Sequence, residues 1–138
     1  MKSEIEERCL LRGTRILIVE DDFLIARQVE MVLTEAGFDL VGVAASAEEA
    51  IDLANSGRPT LAIMDIRLAG VRDGIDAALV LFRQHGIRCI FATAYSGPDL
   101  RRRADPARPL GWLSKPYTMA SLVAIVRKAV DDLNDRTE

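Results

Sequence analysis

From Arg15 onward the chain switches repeatedly between two hydrophobic periods. Residues 16–19 form an apolar run of strand length, and residues 23–36 place Leu24, Ile25, Val29, Val32, Leu33 and Ala36 at helical spacing before Gly37. Residues 40–44 are a second β-rich run. Ser46-Ala47-Glu48-Glu49 then has the form of a capping box, opening a helix with Ala47, Ala50, Ile51 and Ala54 on one face before Gly57. Residues 61–66 predict a buried strand, 75–82 a helix ending near Gly86, 87–92 a fourth strand and 111–113 a fifth. Thr118 is placed to cap a last helix, whose apolar face is Met119, Leu122, Val123, Val126, Val130 and Leu133, running to Asn134.

Strands that alternate with helices of crossover length must pair in parallel, with helices covering both faces of the sheet. The expected fold is therefore α/β, a doubly wound five-stranded parallel sheet. The segment between the fourth and fifth strands, SGPDLRRRADPARP, holds three prolines, so only residues 98 to about 104 can be helical. A short or irregular fourth helix follows. Residues 1–13 read as a charged extension with up to one helical turn, 14–134 as the domain and 135–138 as a tail.

Composition narrows the class. The 138 residues are 49% apolar and 28% charged, which suits one globular domain rather than a disordered chain. The net charge of −3 argues against general nucleic-acid binding, which needs clustered positive charge. No apolar run approaches the roughly 18 residues of a membrane span, and acidic residues interrupt the first 13 where a signal peptide needs an uncharged core. A cytoplasmic protein without membrane contact is expected. Cys9 and Cys89 are too few for a disulfide framework or a zinc cage, and Cys89, inside an apolar run, reads as a buried free thiol.

In an open parallel sheet, ligands collect beyond the carboxyl ends of the strands, where strand order reverses. The first strand ends in Glu20-Asp21-Asp22, the third in Asp65, the fourth in Thr93 and the fifth in Lys115-Pro116. In the flavodoxin-like order 2-1-3-4-5 these converge on one pocket. Crowded carboxylates repel one another unless a positive charge sits among them. Mg2+ suits the set, because it takes oxygen ligands, needs few protein carboxylates and keeps coordination places for a phosphoryl group. Lys115 adds a point charge able to pair with a carboxylate or a phosphate, and Thr93 a hydroxyl donor. Each feature alone is an ordinary loop or helix-start feature; their placement at successive strand ends is what singles them out.

The runs ILIVEDD (16–22), IMDIRL (63–68), ATA (92–94) and LSKPY (113–117) resemble the four signatures of two-component response-regulator receiver domains, over about residues 14–134. Spacing agrees as well, with 28 residues from Asp65 to Thr93 and 22 from there to Lys115. The resemblance implies that Asp65 is the phosphoacceptor and that Asp21 ligates Mg2+, for which Mn2+ can substitute. It makes Glu20 a water-mediated or charge-balancing acid and the Arg67 backbone carbonyl a further metal ligand. Thr93 and Lys115 would bind phosphoryl oxygens, and Trp112 occupies the position of the aromatic switch residue, usually Tyr or Phe. The run FATAY (91–95) is similar to that of alphaproteobacterial single-domain receivers with a Phe-Ala-Thr-Gly-Tyr sequence, Ala94 replacing the glycine.

Expected partners are a histidine kinase and a downstream protein or histidine phosphotransfer protein, with the chain a monomer or weak dimer. Because the sequence stops at Glu138, soon after the last helix, a stand-alone regulator without an output domain is expected. It would be no enzyme beyond catalysing its own phosphorylation and dephosphorylation. A phosphate shuttle or sink, or a pseudo-receiver that binds without phosphorylation, remains open. An aspartyl phosphatase would need a second acid at position 67, where Arg67 stands, and a flavin phosphate would be repelled by Glu20, Asp21 and Asp22.

Three features have plainer readings. His85 falls at a helix C-terminus, where it suits the dipole. Residues 70–74 lack the P-loop lysine and read as a turn. Arg101, Arg102, Arg103 and Arg108 read as a solvated basic face or, as the less favoured alternative, a docking surface for an acidic partner. Arg67 itself is expected to face water.

Overall fold

Every central strand is apolar on both faces, and both faces are covered. A computed structural model describes residues 13–135; the predicted extension and tail, and Cys9, lie mostly or wholly outside this range. The strands are β1 (Arg15–Val19), β2 (Asp39–Ala44), β3 (Leu61–Asp65), β4 (Arg88–Thr93) and β5 (Gly111–Ser114). The helices are α1 (Phe23–Glu35), α2 (Ala47–Gly57), α3 (Gly74–His85), α4 (Pro98–Ala104), followed by a 3-10 turn (Asp105–Ala107), and α5 (Met119–Asp135). All pairings are parallel, in the expected order β2-β1-β3-β4-β5.

Because side chains alternate along a strand, each strand divides its residues between two cores. Leu17, Val19, Ala62, Met64, Cys89 and Phe91 face α2, α3 and α4, and this layer is filled largely by alanines: Ala47, Ala50 and Ala54 from α2, and Ala77 and Ala78 from α3. Only Ala104 of α4 and Ala107 of the 3-10 turn are fully buried there. Ile16, Ile18, Leu61, Ile63, Ile90, Ala92 and Leu113 face the other way, against Val29 and Leu33 of α1 and Leu122, Val126, Ala129 and Val130 of α5. Of the predicted face of α5, Leu122, Val126 and Val130 are buried and Met119 and Leu133 pack half-buried against this core; Ala129 and Ile125 join them, while Val123 is half-buried.

The caps explain where the helices start. Asp22 Oδ1 accepts from the Leu24 and Ile25 amides at 3.0 and 3.2 Å, and Thr118 Oγ1 from the Ser121 amide at 3.0 Å. The capping box expected at α2 is only half formed: Ser46 Oγ accepts from Glu49 N, but the Glu49 carboxylate turns to the Ala45 amide instead of that of Ser46. The closed box is at α3, where Asp73 and Asp76 each accept from the other's amide at 3.0 and 2.9 Å. That helix runs to His85, three residues past the last apolar position, because Arg83, Gln84 and His85 complete a polar turn before Gly86 at φ +70°. Proline limits α4 to seven residues, as expected. No helix among the described residues is long and apolar enough to cross a membrane.

Candidate functional site

The strand register builds the site. β1 lies between β2 and β3, so the chain leaves its carboxyl end in one direction and returns on the other side, which opens a crevice there. Val19 pairs with Met64, Asp65 with Ala92 and Thr93 with Ser114. Glu20, Asp65, Thr93 and Lys115 are therefore brought to one edge, and the Lys115 amide continues the ladder by donating to Thr93 O at 2.9 Å.

Glu20, Asp65 and Thr93 are buried polar residues, each under a tenth exposed. Burial of two neighbouring carboxylates demands compensation. Lys115 supplies it, its Nζ donating to Glu20 Oε1 at 2.9 Å and to Asp65 Oδ2 at 3.1 Å. Burial works against the Lys115 ammonium, but the Glu20 and Asp65 carboxylates outweigh it and hold its pKa above the ordinary value. Glu20 is pushed up, first by burial and then by Asp65, with Lys115 and the Asp22 amide opposing. One cation against two acids leaves the pocket negative. Asp21, exposed at its mouth, completes a group in which one carboxylate oxygen from each of Glu20, Asp21 and Asp65 lies within 4.8 Å of the others. Three hard oxygen donors with unbalanced charge fit Mg2+ or Mn2+.

Asp22, third in the acidic run, is instead spent on capping α1. An open cleft of about 950 Å3 extends from Asp65 along the loop that follows it, with Asp21, Arg67, Thr93, Tyr95 and Lys115 among its lining residues. Arg67 is exposed, as expected. Two ties fix this loop against α2: an isolated parallel bridge between Ser46 and Ala69, and an ion pair from Arg72 Nε to Glu48 Oε1 at 3.1 Å. Gly74, read from sequence only as part of a turn, is a steric requirement of the site. Its amide donates to Ile66 O at 2.8 Å, and a Cβ there would stand 2.0 Å from Asp65 O.

Thr93 Oγ1 donates to Tyr95 O at 2.9 Å and accepts from Tyr95 N at 3.2 Å. Trp112 packs its ring 4.9 Å from that of Phe91, and the Arg101 guanidinium lies 4.7 Å above the indole. All four arginines of the cluster are exposed, as a solvated face requires, but three of them are also tied to neighbours within the protein. Arg101 also donates to Ser96 O, Arg102 pairs with Asp99, and Arg103 reaches Asp73 and Asp76 on α3. No hydrophobic period could show the Arg103 contacts, because its partners lie 27 and 30 residues away. His85 bonds Asn55 at 2.6 Å, at the end of α3 away from the cleft. Cys89 is the expected buried thiol, its pKa pushed up to about 12 by burial.

The response regulator receiver domain family matches residues 16–127 of the chain. Among curated proteins, the transcriptional regulatory protein PdtaR of Mycobacterium tuberculosis is 36% identical over 123 residues, covering 89% of this chain and 60% of that protein. The phyllosphere-induced regulator PhyR of Methylorubrum extorquens is 35% identical over 119 residues, covering 86% of this chain and 44% of its own length. The chain thus spans about half the length of these relatives. Among solved structures, the signal receiver domain of a modulated diguanylate cyclase from Desulfovibrio desulfuricans superimposes with TM-score 0.77 at 33% identity, covering 86% and 94% of the two chains. A CheY-like receiver domain protein from Methanospirillum hungatei shares the fold, with TM-score 0.82 at 23% identity over 89% and 98%.

Proposed function

The chain belongs to the response regulator receiver domain family, and from that membership we propose that it accepts a phosphoryl group on Asp65 from a histidine kinase and signals through a partner protein. The observation that supports this most directly is the bridge from Lys115 to both Asp65 and Glu20. It keeps a carboxylate buried, oriented and paired with a cation that can pass to a new phosphate oxygen.

In the transfer, an Asp65 carboxylate oxygen attacks phosphorus in line, the bond to the donor imidazole nitrogen breaks, and the electron pair leaves with the histidine. Lys115 then pairs with a phosphoryl oxygen, and Thr93 turns its hydroxyl from Tyr95 O to another. Glu20, Asp21, Asp65 and the Arg67 carbonyl would hold Mg2+, which when bound supplies neutralising charge for the transferring group. The remainder is positioning and electrostatics, the usual basis of phosphoryl transfer. Phe23 and Leu24, 77% and 74% exposed immediately after Asp21 and Asp22, give a protein donor an apolar foothold beside the pocket.

Intact-mass measurement after incubation with phosphoramidate and Mg2+ tests the reading. One phosphoryl adduct is expected on the native chain and none on Asp65→Asn. An adduct retained by that variant, or none on the native chain, would refute the assignment.

A further inference from the structure

The arginines of α4 are the charged cluster that the site chemistry does not use, and two of them point to opposite neighbours. Arg103 Nη1 and Nη2 meet Asp73 Oδ2 and Oδ1 at 3.0 and 3.2 Å, a fork-to-carboxylate pair, and Nη2 also meets Asp76 at 3.4 Å. Arg101 lies over Trp112 and donates to Ser96 O at 3.1 Å. We propose that Arg103 and Arg101 form a two-sided clasp that holds α4 in the arrangement described here, and that releasing Arg103 makes the protein take up a phosphoryl group more readily.

Each jaw grips an element tied to the pocket. Asp73 and Asp76 close the capping box of α3, and Gly74 between them lies directly against Asp65 O. On the other side, the single proton of the Thr93 hydroxyl is given to Tyr95 O. To serve a phosphoryl oxygen that proton must leave Tyr95 O, loosening the segment 95–97, which then keeps only the Tyr95 amide bond to Thr93 Oγ1 and which Arg101 joins to α4 through Ser96. Any shift of this segment is therefore passed to a helix anchored at its other end by Arg103. A contact made in one arrangement and loosened in the other opposes the second by its own free energy. The consequence for uptake rests on the phosphoacceptor reading above; the clasp itself rests on the geometry.

Wild type, Arg103→Ala and Arg103→Lys would be titrated with beryllofluoride in Mg2+, following Trp112 fluorescence, and amide hydrogen exchange of the free proteins would be measured over residues 98–107. Arg103→Ala should bind roughly two- to fivefold more tightly, the scale of a partly exposed ion pair. Its free form should exchange faster over 98–107, with emission shifted toward the bound value. Arg103→Lys, which keeps the charge but not the fork, should fall between. A variant that was merely less well folded would not gain affinity. Unchanged exchange and emission would overturn the clasp whether or not the wild type binds, and faster exchange with unchanged or weaker binding would overturn its effect on uptake. No binding by the wild type would refute the phosphoacceptor reading and the uptake effect together, leaving the exchange result to decide the clasp.

Discussion

Lys115 and Asp65 stand 50 residues apart in the chain and 3.1 Å apart in space, and the same ammonium lies 2.9 Å from Glu20. One cation thus answers two buried acids. In Lys115→Ala the pair is left facing itself, and the metal-free protein should lose about 2–4 kcal/mol, since removing one partner strands a buried charge. Mg2+ should return part of that loss and stabilise the variant more than the wild type. Urea unfolding in EDTA and in Mg2+ checks this; equal stabilisation of both proteins would show that the two cations do not serve the same acids.

Asp21 and Asp22 are adjacent but have separate tasks, one at the pocket mouth and one capping α1. Asp22→Ala should cost about 1 kcal/mol of stability, the usual worth of a cap, with little change in Mg2+ affinity. Asp21→Asn should do the reverse. Metal titration and denaturation of the two variants, compared side by side, would expose any exchange of roles.

Gly74→Ala should be damaging although the change is a single methyl. With a Cβ 2.0 Å from Asp65 O, either α3 or Asp65 must move. Overpacking of this kind costs about 1–3 kcal/mol, and phosphoramidate labelling of Asp65 should slow as well. Normal labelling at normal stability would mean that the turn relaxes freely.

Burial alone would raise the Asp73 carboxyl, but Arg103 and, after it, the Asp76 amide together outweigh it and hold the pKa below the ordinary 3.8. A carboxyl depressed in the folded state contributes stability above its unfolded pKa, and that contribution is lost as pH falls through the folded value. The stability gap between wild type and Arg103→Ala should therefore be present near neutral pH and close below the ordinary value of Asp73. Because Arg103 and Asp73 side chains are 46% and 31% exposed, the gap should stay under about 1 kcal/mol. Unfolding across the acid range reads it directly, and a gap that did not narrow would assign the stability to something other than this pair.

Much of this fold was readable because its two periods are cleanly separated. The apolar runs of β1 and β3, and the Gly37 and Gly86 stops, marked elements to within a few residues. Strand ends were less legible: Thr93 and Ser114 belong to strands by pairing with each other, which composition does not reveal. The residues of the pocket were legible because each lies at or just beyond the carboxyl end of a strand. Its supports were not. The Asp73 and Asp76 box, the Arg72 to Glu48 tie and the two arginine contacts of α4 all depend on long side chains meeting across segments that only folding brings together.

Ala104 and Ala107, the fully buried residues of α4 and its 3-10 turn, reach into the core with a methyl group each. Leu100 of α4 also packs against this core, half-buried. Withdrawing the element thus removes two methyls and part of one leucine, a smaller void than lifting a helix seated by several fully buried leucines, whose cavity cost grows with its volume. Motion of this element should therefore change volume only modestly, and hydrostatic pressure, which favours states that eliminate voids, should have limited leverage on its position.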